Sequence, residues 1–154
     1  MPATRGGTGE LVGGTSGLAL FAFMFLPWYG ATITLGRLGS ASLGGLDAWE
    51  AFSVLDLVLF AAALLAVVVA VARLVGAGPV DVALPPGLIV AIAGAVAVIL
   101  VVYRLIDPPT IGQAGFEVDI SRKPGIFLSL IAAAGIAYGG FTAMNERPAV
   151  GGAD

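Results

Sequence analysis

Phe25-Leu26-Pro27-Trp28-Tyr29-Gly30 closes the first long apolar segment of the chain with two interfacial aromatics and a helix-breaking Pro and Gly. Three other stretches echo it at segment ends: Leu46-Asp47-Ala48-Trp49-Glu50, Tyr103-Arg104-Leu105-Ile106-Asp107-Pro108-Pro109 and Arg122-Lys123-Pro124-Gly125. Chain order puts all four on one side of whatever the apolar segments cross. The pattern predicts an all-α membrane protein, with four transmembrane helices running back and forth and a shelf of aromatics and prolines at one end.

Composition points the same way. Of 154 residues, 58% are hydrophobic and 11% charged, whereas a soluble domain carries about one quarter charged residues. The net charge of −3 offers no basic field for nucleic acid, and no run of Lys and Arg exceeds Arg122-Lys123. There is no Cys and no His. Disulfides, thiolate sites, the usual general base near neutral pH and the commonest transition-metal ligand are thereby lost. No catalytic motif, cofactor or metal is expected, and an enzyme is the least favoured class.

Working outward, the segments predict one domain over 1–154, with helices over residues 11–28, 48–75, 86–106 and 124–144 and flexible tails over 1–9 and 146–154. Each helix approaches or exceeds the ~20 residues a bilayer requires. The apolar run from Leu18 to Leu26 has the length of a signal-peptide core, but Trp28-Tyr29 is a poor cleavage context, so a retained helix is expected. Gly76-Ala77-Gly78-Pro79 ends the second helix and Asp107-Pro108-Pro109 the third, while Pro124 suits the first turn of the fourth. Arg73 can snorkel from the last turn of the second helix. Gly9, Gly13 and Gly17 recur every fourth residue, as do Gly135 and Gly139. Such small-residue stripes let helix backbones approach closely in lipid, where packing replaces the hydrophobic drive.

The connection over 31–46 is rich in Gly, Ser and Thr. Within it Ala31-Thr32-Ile33-Thr34-Leu35 alternates like a short strand, as does Phe116-Glu117-Val118-Asp119-Ile120-Ser121 in the last loop. The two are expected to pair in a small extracytoplasmic cap formed by the 1–2 and 3–4 loops. Asp47 and Glu50 have the three-residue spacing of a capping box at the start of the second helix.

Asp56 is the most informative single residue. It lies inside the apolar run Val54 to Leu65, where a lone carboxylate facing lipid costs several kcal/mol, so it must face the interior, pair or be protonated. Ser53 falls on its face, and the one cation at comparable depth is Arg104. An intramembrane Asp56–Arg104 pair, with Ser53 as a further donor, is the expected site. It can fix helix register, or serve as an ion or proton relay. Arg104 can alternatively pair with Asp107 on its own helix. Trp28, Tyr29, Trp49 and Tyr103 suit an aromatic belt at the membrane surface. Asp47, Glu50, Asp107, Glu117 and Asp119 offer oxygen ligands but no EF-hand spacing.

Taken together, the Phe25–Tyr29 stretch, Asp47-Ala48-Trp49-Glu50-Ala51-Phe52, Asp56, the Arg104–Pro109 stretch and Lys123-Pro124-Gly125-Ile126-Phe127 make nearly the whole chain resemble one family. It comprises small, uncharacterised four-helix integral membrane proteins of actinobacteria and related high-GC bacteria. The resemblance implies the fold, a plasma (inner) membrane location and a cytoplasmic amino terminus, but no activity. Charge counting mildly opposes that orientation, because Arg37, Arg104, Arg122 and Lys123 then lie outside against Arg5, Arg73 and Arg147 inside. The expected function is that of a non-enzymatic structural, interaction or accessory subunit, with the lipid bilayer and a second copy or another membrane protein as partners. The alternative is a small ion or proton channel or transporter component using Asp56 and Arg104.

Overall fold

A proline in the first turn of a helix forfeits no hydrogen bond and brings its backbone angle already set. Pro86 and Pro124 use this to open α3 (Pro86–Ile106) and α4 (Pro124–Asn145). The computed structural model describes residues 7–47, 54–76, 83–108 and 117–146. Two further helices precede these, α1 (Thr8–Phe23) and α2, described over Val54–Leu74. Gly76 ends α2 in the left-handed region, with φ of 66° and its N–H on the Arg73 carbonyl at 3.2 Å. The helices α2, α3 and α4 are long and apolar enough to cross a membrane.

α1 is the helix that departs most from the expected 11–28. It starts earlier because two carboxylates satisfy its first amides. The Gly7 N–H donates to Glu10 at 3.2 Å, and the Gly9 N–H donates to Glu146, from the far end of the chain, at 3.0 Å. It stops earlier because Pro27 biases Leu26 away from helical angles. The backbone from Pro27 onward is instead drawn into a sheet. The Phe23 carbonyl at the helix end accepts both the Leu26 N–H at 3.1 Å and the Trp28 indole N–H at 2.9 Å.

Glycine and alanine hold the helices together. A Cβ on Gly9 or Gly139 would strike backbone of the facing helix, Ala143 and Gly13 respectively, and one on Gly17 would lie 2.8 Å from the Ala63 carbonyl. Gly94 abuts Ala137, and Gly140 abuts Ala91, in the same way. These contacts run in opposite senses along each pair, so neighbouring helices are antiparallel: α1 with α4, α4 with α3, and α1 with α2. The helices follow one another around a ring in chain order, with α2 and α4 on a diagonal. Small residues face inward (Ala62, Ala63, Ala66, Ala97, Ala132, Ala133), whereas Leu57, Val68, Ile92, Ile99, Ile131 and Phe141 face outward.

Three antiparallel strands cover one end: β1 (Pro27–Thr34), β2 (Ser40–Asp47) and β3 (Glu117–Arg122), in the order β2-β1-β3. β1 meets β3 with Ala31 opposite Ile120 and Ile33 opposite Val118. Sequence alternation identified both of these segments, although Phe116 lies outside the described residues. β2 corrects the reading of that stretch as a loop. Its composition is poor for a strand, but β1 has a second edge, and a tight reversal delivers the chain back to it. Gly36 and Gly39 take φ of 60° and 95° there, and the Leu35 N–H bonds the Gly39 carbonyl at 2.8 Å. Gly125 seats α4 against the start of β1, where a Cβ would come within 2.6 Å of the Pro27 carbonyl.

Candidate functional site

The inward stripes of three helices each carry a polar residue toward the sheet end: Asp56 on α2, Arg104 on α3 and Ser129 on α4. Asp56 sits two residues into the described part of α2, on the same face as Leu59, Ala63, Ala66 and Ala70. Arg104 lies in the last turn of α3, below Val90, Gly94, Ala97 and Val101 on one stripe. The structure brings the first two together, with the Arg104 guanidinium Nη2 donating to Asp56 Oδ2 at 3.3 Å. Asp56 is 1% exposed and Arg104 7%. Taking either charge out of water alone costs several kcal/mol, and mutual attraction with added hydrogen bonds offsets that cost only while both are present.

Two side chains from the sheet reach the same end of α3. Tyr29 on β1 donates its hydroxyl to the Arg104 carbonyl at 2.7 Å, and Arg122 on β3 donates its Nε to the Leu105 carbonyl at 2.6 Å. Both carbonyls belong to the last turn of α3, where helical geometry leaves acceptors without partners. The sheet therefore caps α3 at the residue whose side chain forms the buried pair. Burial pushes the Tyr29 hydroxyl up to about 12, against the opposing pull of the Arg104 charge. The neutral, donating form is the one held.

Asp107 takes no part in this pair. It accepts from the Tyr103 hydroxyl at 3.0 Å, one turn along α3. Ser129 Oγ is fully buried and has no hydrogen-bond partner among the described residues. Its position on the buried stripe of Ile126, Ala133 and Ile136 was available from spacing alone, yet a lone serine in an apolar helix gave no reason to single it out.

The remaining expected positions divide. Ser53, Trp49 and Glu50 lie outside the described residues. Asp47 is the last residue of β2, opposite Pro27. Trp28 and Tyr29 correct the aromatic-belt expectation: each is 1% exposed and packs in the core beside Leu20, Met24 and Ile126. They turn inward because the strand, rather than a helix end, carries them. Tyr103 is half exposed on α3. Gly9, Gly13, Gly135 and Gly139 line the α1–α4 contact, Gly135 meeting Ser16, while Gly17 faces α2.

A second cluster marks the opposite end, where sequence reading left Arg73 unpaired. Arg73 Nε lies 3.4 Å from Glu10 Oε1, tying the end of α2 to the start of α1, and Glu146 stands beside them on Gly9. Comparison with known protein families and with curated proteins finds no match for the chain.

Proposed function

We propose that the chain is a multi-pass protein of a bacterial inner membrane, with four spanning helices, the sheet on the extracytoplasmic side and both termini in the cytoplasm. It acts as a non-enzymatic structural or accessory subunit, through helix packing or through the sheet, on a second copy or on another membrane protein. The observation that carries this reading is the outer face of the helices, where large aliphatic and aromatic side chains such as Leu57, Val68, Ile92, Ile99, Ile131 and Phe141 are exposed, while glycine and alanine make the close contacts between helices. Water would drive those large side chains inward. Lipid removes that drive and rewards close backbone packing. At ~1.5 Å per residue, the 16 residues of α1 reach about 24 Å, a shortfall against the ~30 Å core that local thinning of the bilayer absorbs. The likeness to the four-helix actinobacterial proteins belongs to the same reading.

Within it the Asp56–Arg104 pair is a structural lock. It joins α2 to α3 at the point where β1 caps α3. A second reading, an ion or proton channel or transporter component, is favoured by one feature, a carboxylate 1% exposed within an apolar helix.

Asp56→Asn separates the two. As a lock, the substitution removes the carboxylate charge that faces the buried Arg104 guanidinium and lowers stability in detergent by about 3–5 kcal/mol. As a relay, it abolishes proton or ion flux in liposomes while the fold persists. An Asp56→Asn protein with unchanged stability and unchanged flux would sink both roles for this residue.

A further inference from the structure

The two outer strands of the sheet differ. β3 carries Asp119 and Arg122 and leads into Lys123, and charge of this kind is the usual protection of an exposed edge. β2 carries no charge before its last residue, Asp47. Ser40, Ala41, Ser42, Gly44 and Gly45 are all exposed. Successive strand residues point to opposite faces, so this part of the hairpin is covered on neither. The Leu35 N–H bonds the Gly39 carbonyl across the turn at 2.8 Å, and Ile33 lies opposite Ala41. Alternation along an antiparallel pair makes Ile33 and Ala41 exchange hydrogen bonds and turns the N–H and C=O of Ser40 and Ser42 outward. Beyond Ser42 the register to β1 shifts and Gly44 takes φ of 91°, so the straight edge ends there.

An outward row of main-chain donors and acceptors is matched by another extended backbone, and charge says whose. Arg37 stands in the turn of the hairpin, exposed and without a hydrogen bond or ion pair among the described residues. Asp47 stands at the base. Two identical hairpins laid antiparallel bring each turn to the other's base, cation beside carboxylate at both ends. Laid parallel, they would set like charge on like. Asp47 has an interaction of its own, and a carboxylate accepts up to roughly four hydrogen bonds, so Arg37 adds to that set. The next charge along the chain, Glu50, lies outside the described residues and has the same sign as Asp47.

We propose that β2 pairs with β2 of a second copy, antiparallel about a two-fold axis at Ala41, and joins the two sheets into one. Ser40 of each copy meets Ser42 of the other as a pair exchanging both hydrogen bonds, and Ala41 faces its own counterpart in the closer, non-hydrogen-bonded kind of pair. That register sets Arg37 opposite Gly45 of the second copy, on the approach to its Asp47. Only the small side chains of Ser40, Ala41 and Ser42 lie at the join, so the strands can close to hydrogen-bonding distance. The pairing rests on the reading above of a subunit that acts on a second copy through its sheet.

Because the chain has no cysteine, single substitutions read the register directly. Ala41→Cys in the full chain, mildly oxidised in its membrane, should run mostly as a disulfide-linked dimer on a non-reducing gel. Leu38→Cys should stay monomeric, since its two copies stand about 20 Å apart in this register. Arg37→Glu, added to Ala41→Cys, should weaken dimerisation about tenfold, the effect of losing two exposed ion pairs. Arg37→Lys should leave it near the parent. Arg37 is exposed in a turn, so neither change at that position disturbs the fold. Equal crosslinking at positions 38 and 41, none at 41, or an adduct of the Ala41→Cys chain with a protein of another mass would overturn the pairing. So would a dimer indifferent to Arg37→Glu. In each case a chain still held in the membrane leaves the membrane reading standing. Dimers of an Ala41→Cys chain that is soluble without detergent would keep the pairing and overturn the membrane reading.

Discussion

Tyr29 shows how much one side chain can do when it links two layers. Its hydroxyl donates to the carbonyl of Arg104, whose guanidinium holds Asp56, so sheet and helices meet through consecutive polar contacts. Folding raises its pKa from 10.0 to about 12. A group with a raised folded pKa binds its proton more tightly when folded. Its stabilising contribution is therefore complete below pH 10 and is lost as pH climbs through 12. In a tyrosinate absorbance titration Tyr29 should ionise above the ordinary tyrosine range, and Tyr29→Phe should remove that late step. Ser129 makes the opposite case. Its buried hydroxyl has no partner among the described residues, so Ser129→Ala relieves a desolvation cost and should leave stability unchanged or raised by up to about 1 kcal/mol in chemical denaturation. A loss larger than that would mean the hydroxyl has a bound water.

At the level of elements, the two glycines at the α1–α4 crossing are not equivalent. A Cβ on Gly139 collides with the backbone of Gly13, and comes 2.7 Å from the Gly9 carbonyl. One on Gly13 meets Val90 Cγ1 at 3.5 Å and Gly139 at 3.9 Å, both ordinary contacts. Gly139→Ala should therefore cost about 1–3 kcal/mol through overpacking. Gly13→Ala should fall within about 1 kcal/mol of the parent, helped by the higher helix propensity of alanine. Thermal denaturation of the two variants side by side checks the asymmetry. The periodic glycines were visible in the sequence; which member of a facing pair has room was not, because that depends on helix rotation. The same division runs through the secondary structure. α3 was legible at both ends, since Pro86 opens it and Asp107-Pro108 follows its last residue. α1 was not, because Glu146 and the pull of β1 into the sheet, both distant in sequence, set its limits. β2 has almost no strand signal of its own and exists because β1 offers an edge. Asp56 and Arg104 could be matched by depth alone, as one carboxylate and one cation counted from helix ends. The caps that Tyr29 and Arg122 place on α3 could not, since a strand register decides them.

For the whole molecule, antiparallel packing in a ring brings the start of α1 and the end of α4 together at the end away from the sheet. The hairpin between β1 and β2 lies at the other, and Leu38 in its turn is 89% exposed. The chain has no cysteine, so single introduced cysteines report sidedness without background. In the proposed orientation, Leu38→Cys is labelled by a membrane-impermeant maleimide in spheroplasts, whereas Asn145→Cys is labelled only after permeabilisation. The reverse pattern would invert the assignment, and labelling of both in intact spheroplasts would refute an even number of crossings.

The sheet also dictates an order of manufacture. β1 and β2 are neighbours in the chain and can pair as soon as both have emerged. β3 follows the end of β1 by roughly 80 residues, which at about 5–20 residues per second takes on the order of 4–16 s to synthesise. During that interval one edge of β1 has no partner, and Tyr29 has no Arg104 carbonyl to meet. Completion of the sheet therefore waits on delivery of the segment that carries α3. The newborn protein spends several seconds with an open strand edge, the state in which pairing with the wrong chain is easiest.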